Sequence, residues 1–233
     1  MRKICLLTAA ILLAGTMWAQ DNSNNNSNNG NSELQKATDI VQHMTSTAGD
    51  KAIPRQVLDG AKCVAVIPNL IKGAFIVGGE HGSGVATCRT SSGWSAPAPF
   101  SVTGVSWGAQ IGGKSTDLLM FVMNSEGMNS LMSGHFKVGG NVSAAAGPVG
   151  RDASAQAGWK AGILTYSQSK GAFVGASLSG AEIQQDNSKT KQLYGRDVSF
   201  QDILNGKVNA PNQQAKAFVG AIENAKQTAE AQH

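Results

Sequence analysis

Ile163–Ile183 reads ILTYSQSKGAFVGASLSGAEI, and the spacing of its apolar residues decides the fold class. Ile163–Gln168 forms one arm, Ser169-Lys170-Gly171 a turn, and a second arm starts at Ala172. On that arm Ala172, Val174, Ala176 and Leu178 fall on one face, with Phe173, Gly175, Ser177 and Ser179 on the other. A period of two fits a strand and not a helix. The second face is nearly bare of side chain after Phe173. Glycine weakens a strand interior, so its use there implies that another backbone or a ligand comes close. Packing of a second layer is the favoured reading, with ligand approach the alternative.

The same economy of side chains runs through the chain. It has 28 glycines in 233 residues, against a usual share of about 7%. No period-three glycine pattern occurs, which excludes collagen. The length suits one large domain or two small ones. Aromatic residues make up 6% and charged residues 15%. Together these point to an α+β domain: an antiparallel, strongly twisted or partly closed sheet of Gly-rich hairpins. N-terminal helices and a C-terminal amphipathic helix flank it.

Residues 1–19 read as a secretory signal peptide, with Arg2 and Lys3 before the apolar run Ile4–Ala14. That run is short for a membrane span of about 20 residues. Its removal leaves 17 basic against 15 acidic residues, a net charge of +2. This weak excess, with export, argues against a nucleic-acid partner. Cys63 and Cys88 then remain as a candidate disulfide in an oxidising compartment; two buried free thiols are the alternative.

Residues 20–32 form an Asn/Ser-rich tract read as a disordered linker. The domain proper is assigned to 33–206, and 207–233 to a C-terminal helix. Leu34, Ala37, Val41 and Met44 give Glu33–Ala48 helical spacing. Its apolar face could lie in a membrane interface or pack on the sheet. Ile53–Lys62 reads as a second short helix. Cys63–Pro68 reads as a buried strand. Gly73–Glu80 and Gly84–Arg89 read as a hairpin turning at His81-Gly82-Ser83. Ser101–Ile111 and Thr116–Asn124 read as strands around Gly112–Ser115, and Ser125–Ser133 as a short helix. Phe136–Ala146 reads as a Gly/Ala strand, and Pro211–Ala231 is the clearest helix.

Chemical motifs are few. Gly108–Ser115, GAQIGGKS, matches the phosphate-loop pattern, which must leave a strand and enter a helix to hold phosphate. The apolar Leu118–Met123 that follows reads as a strand, so a nucleotide-binding enzyme is disfavoured. His81-Gly82-Ser83-Gly84 lacks the first glycine of a nucleophile elbow. The four histidines are scattered, with no metal spacing. Asp117, Glu126, Asp152 and Glu182 are isolated carboxylates.

The ordered blocks resemble the SYLF-domain family, a lipid-binding family. They are AKCVAVIP at Ala61–Pro68, KGAFIVGGEHGSGV at Lys72–Val85, TCR at Thr87–Arg89 and WSAP at Trp94–Pro97. GAQIGG at Gly108–Gly113, TDLLMFVMN at Thr116–Asn124 and AAGPVGR at Ala145–Arg151 follow. The last are YSQSKGAFVGASLSG at Tyr166–Gly180 and LYG at Leu193–Gly195. The cysteine pair and export signal look like the bacterial branch. Gln168 stands where the family often has Arg, and Ala172 where Leu is usual.

The resemblance implies a non-enzymatic binding module without a cofactor or metal. Eukaryotic relatives bind phosphoinositides, and a fungal branch also binds actin. An anionic phospholipid surface is therefore the expected partner of a periplasmic or extracellular protein, and actin is not expected. The candidate lipid-binding residues are Lys36, Lys51, Arg55, Lys62, Lys72, Arg89, Arg151 and Lys170, working with the N-terminal amphipathic helix. Arg89 and Arg151 adjoin turns or strand ends, where Arg can instead hold carbonyls. A cell-envelope structural or protein-interaction role is the alternative.

Overall fold

A computed structural model of the chain describes residues 23–49, 52–149, 161–169, 172–174, 178 and 180–230. The expected export signal, Lys51, Arg151 and Lys170 lie outside them, as do Asp152 and part of the second arm of the Ile163–Ile183 hairpin.

The sheet is organised by a long two-stranded ribbon. β1 (Cys63–Thr90) runs out, turns into β2 (Gly93–Trp94), and β3 (Ala98–Val122) returns along it. β4 (His135–Lys137), β5 (Ala144–Ala146), β6 (Ile163–Ser169), β7 (Ala172–Val174) and β8 (Glu182–Gln185) complete a mixed sheet. Along its far edge β3 pairs with β8 at Phe100–Thr103 and with β6 at Asp117–Val122. β5 joins β6 in parallel, and β7 joins β6 as the expected hairpin.

β1 folds over on itself. Cys63 and Cys88 sit at its two ends, yet their Cα atoms are 3.9 Å apart and their sulfurs are bonded. The Arg89 N–H donates to the Lys62 carbonyl at 2.8 Å. Further in, a Cβ on Gly84 would lie 2.4 Å from Val66 O, and one on Gly82 would lie 2.9 Å from side-chain atoms of Ile67 and Leu70. The sheet therefore curls into a half-barrel, closed covalently at the ends of β1.

This corrects the expected hairpin at His81-Gly82-Ser83. Those glycines do not turn the chain; they let its two halves touch, a use of glycine that sequence alone cannot separate from a turn. Similarly, Gly112–Ser115 does not interrupt β3. At Pro68-Asn69 the strand continues through a bulge, with Ile67 opposite Leu118 and Leu70 opposite Thr116. Proline has no N–H to give the ladder. Asn69 takes φ 55°, and its N–H donates to Asp117 Oδ1 at 2.9 Å. The extra residue shifts the alternation by one: Ile67 faces inward before it and Leu70 after it.

Both faces of the central strands are covered, which is why they read as continuous apolar runs. Ala65, Ile67, Phe100, Leu118 and Met120 fill the inside of the curl. α3 (Ser125–Met132) and α5 (Phe200–Leu204) pack there through Leu131, Phe200, Ile203 and Leu204. Val64, Val66, Leu119, Phe121 and Tyr166 face outward, under α1 (Ser23–Thr45), α2 (Arg55–Gly60) and α6 (Gln213–Glu230). α4 (Asn187–Tyr194) starts at Asp186, whose carboxylate accepts from the Lys189 N–H.

α1 begins at Ser23, inside the tract expected to be a disordered linker. Asparagine and serine are poor helix formers, but the end of the tract is anchored: Asn212 donates to Asn31 at 3.0 Å, and Lys189 pairs with Glu33. Tertiary contact here overrides propensity.

Candidate functional site

The expected lipid-binding residues do not converge on one cleft. Lys36 is exposed on α1. Arg55 Nε lies 3.3 Å from Asp59 Oδ2, one helical turn away. Lys62 is half-buried beside the disulfide, where its own N–H donates to Val122 O at 2.7 Å.

Arg89 is structural. Its Nε donates to Ala61 O at 2.8 Å and its Nη2 to Leu58 O at 3.1 Å. The guanidinium lies 4.5 Å from the centre of the Trp94 ring. It thus satisfies carbonyls at the end of α2 while stacking on the turn strand, geometry that suits Arg and not Lys.

The expected interfacial helix is engaged elsewhere. Leu34, Ala37, Val41 and Met44 on α1 are all 1% exposed or less. They pack in one cluster with Ala215, Phe218 and Ile222 of α6. That apolar stripe belongs to the core, as is usual for a helix lying on a sheet.

Lys72 occupies a different kind of place. Its Nζ lies 2.7 Å from Glu80 Oε2, and the glutamate side chain is 5% exposed. Eight residues of straight strand would separate them by about 26 Å. β1 therefore makes a U between them, and the ion pair spans its mouth. At the bend, Ala74 pairs with Gly112 and Ile76 with Gly108, so three residues of β3 oppose Phe75 alone. Lys114 lies directly opposite Lys72 in the ladder. Beyond Thr103 and before Asp117, β3 has no third strand on its far edge among the described residues. Residues 71–81 and 103–115 thus form a bent two-stranded arm.

Gly108–Ser115 lies inside this arm as strand backbone. It opens no helix, so it lacks the phosphate loop's ring of free N–H groups. Among the described residues no group of three or more His, Cys, Asp or Glu could hold a metal. His43 and His81 are exposed. His135 Nε2 and Glu182 Oε1 lie 2.5 Å apart on the exposed edge formed by β4 and β8. Their separation of 47 residues hid that pair from sequence. The buried Tyr166 hydroxyl donates to Pro148 O, and burial pushes its phenol above the usual range. A cavity of about 50 Å³ lies between α1, α6 and the sheet, lined by Val41, Leu58, Phe121 and Ile222 among others. It has room for a few waters and not for an acyl chain.

Fold and surface therefore define a curled-sheet α+β domain that presents an arm. A family model described as Ysc84, Las17-binding protein actin regulator, matches residues 103–225, more than half of the chain. The chain belongs to this Ysc84/SYLF family. It is 35% identical over 190 residues to LAS seventeen-binding protein 3 of Saccharomyces cerevisiae, covering 77% of this chain and 41% of that protein. Protein YSC84 of the same yeast is 34% identical, with 77% and 40% covered. SH3 domain-containing YSC84-like protein 1 of Mus musculus is 33% identical, with 78% and 56% covered. The chain thus spans about two fifths to just over half the length of these relatives.

Proposed function

We propose that this protein binds anionic phospholipid at a membrane surface without chemical turnover, as an exported peripheral protein. The observation that carries the reading is the facing pair Lys72 and Lys114 on the arm. Like charges directly opposite in a ladder oppose pairing by up to about 1 kcal/mol. An anionic headgroup would relieve that repulsion. Lys36 and Lys62 add positive charge elsewhere. Each cation near an anionic surface contributes up to about 1 kcal/mol, less in salt. The family's description as a binding protein and regulator, and the name LAS seventeen-binding protein 3, support binding over catalysis.

Co-sedimentation of the chain with phosphatidylcholine vesicles, with and without phosphatidylserine, tests the reading. Binding should require phosphatidylserine and weaken as salt rises. Equal, salt-independent binding to both would refute the electrostatic part. Export is checked by finding the N-terminus of the secreted chain near Gln20.

A second reading is a protein-interaction module, favoured by the relatives' names, which mention Las17 and SH3 domains. A single partner captured strongly by a chain that ignores lipid would select it.

A further inference from the structure

At its mouth the arm reverses the polarity of an ordinary sheet. Lys72 and Glu80 meet inside the bend, on a face where Gly78 and Gly104 carry no side chain. Gly78 and Glu80 are buried. The outer face carries Ile71 and, opposite Gly79, Val105. Ile71 is 56% exposed and Val105 60%. They are two of the three large apolar side chains exposed among the described residues. A sheet in water turns its apolar face inward and its polar face outward. Apolar outside with polar inside is the pattern of strands surrounded by hydrocarbon.

From this, and resting on the lipid-binding reading above, we propose that the bent arm, residues 71–81 and 103–115, is a wedge that inserts into the membrane. Its outer face enters the boundary between headgroups and acyl chains.

The dimensions agree. Four residues climb from Lys72 to Ile76 and four descend to Glu80, so the tip stands about 13 Å beyond the ion pair. Interfacial elements reach about 5–10 Å into that boundary. With the tip at such depth, Lys72, four positions back on β1, and Lys114, paired with it on β3, lie at headgroup level. There an ammonium meets phosphate while its neighbour's apolar side chain is dry. The two lysines and the outer apolar face then serve one surface. An apolar protein surface would not complement those cations. The U held by Lys72 and Glu80 is shaped before contact, so little ordering is required on insertion.

The test uses the full chain and mixed phosphatidylcholine–phosphatidylserine vesicles. Ile71→Asp and Val105→Asp replace exposed side chains and should leave the thermal midpoint unchanged. Each should weaken vesicle partition about tenfold, and the pair about a hundredfold. Where an aspartate variant melts early, the Ile71→Ala/Val105→Ala double variant, about tenfold weaker, decides in its place. Val105→Phe should bind more tightly than the parent. If the parent binds and the aspartate variants bind equally well, the wedge is overturned while lipid binding stands. If the parent ignores every vesicle, both fall. If the parent is a dimer in sedimentation equilibrium and Val105→Asp makes it a monomer, the face belongs to a second copy, and the wedge is again overturned.

Discussion

Gly84→Ala measures how tightly β1 is folded over. The added Cβ would sit 2.4 Å from Val66 O, 2.7 Å from Phe100 Cζ and 3.0 Å from Ile67 Cγ1. Carbon and oxygen normally approach to about 3.3–3.6 Å, so one of the two backbones must move by about 1 Å. The Val66 backbone is held in register with Leu119, inside the ladder. Overpacking an interior costs about 1–3 kcal/mol, and an obstacle that is backbone places this change near the top, about 3 kcal/mol. Reduced freedom of the unfolded chain returns at most about 1 kcal/mol. Gly79→Ala is the control: it lies on the same strand, and its Cβ would meet only Gly104 O at 3.9 Å. Urea unfolding followed by circular dichroism should place the Gly84→Ala midpoint about 1 M or more below that of Gly79→Ala, for a slope of about 2 kcal/mol/M. Coincident midpoints would refute contact between the two halves of the strand.

Replacing Cys63 and Cys88 together by Ala opens a loop of sequence separation 25. The chain-entropy model gives a loss of about 3.5 kcal/mol, read in the same urea titration, and a thiol assay on the native mature chain should find none free. Arg89→Lys keeps the charge but loses the fork to Leu58 O and Ala61 O and the stacking on Trp94, and should cost about 1–2 kcal/mol. Asp202 is held below the usual carboxylate value by hydrogen bonds, first from Lys207 and then from Ser199. Its pairing therefore contributes above the unfolded carboxylate value and fades as pH falls through the folded one. NMR titration should find the Asp202 midpoint depressed and Lys207→Gln should raise it.

The parts of this fold legible in sequence are those set by local period. Alternation from Ala172, with the turn at Ser169-Lys170-Gly171, placed the β6–β7 hairpin, and Ala215, Phe218 and Ile222 placed α6. The apolar run Leu118–Met123 marked the core of β3. The long-range crossing of β1 was not legible. Pro68-Asn69 and His81-Gly82-Ser83 carry the chemistry of turns, and only tertiary contact shows a bulge at one and a close approach at the other. The reasoning about glycine, that it admits a second layer, holds at Gly82, expected in a turn, and at Gly84, expected to open a strand. The arm's alternation was present at Ile71, Val77, Val105 and Trp107. Which of its faces meets water depends on the bulge that shifts the pattern at Asn69 and on the U between Lys72 and Glu80. The stripe on α1 showed the opposite problem: a clear amphipathic helix whose apolar side is already covered.

The bond between Cys63 and Cys88 also fixes how the molecule would respond to tension. A pull on the two termini passes through the sulfurs and leaves the residues between them out of the load path. About 85 Å of contour length, from a separation of 25 residues, would stay hidden until the bond is reduced. Stretched from its ends, the oxidised molecule would therefore keep the loop between the two cysteines closed however far β3 and the helices were drawn out.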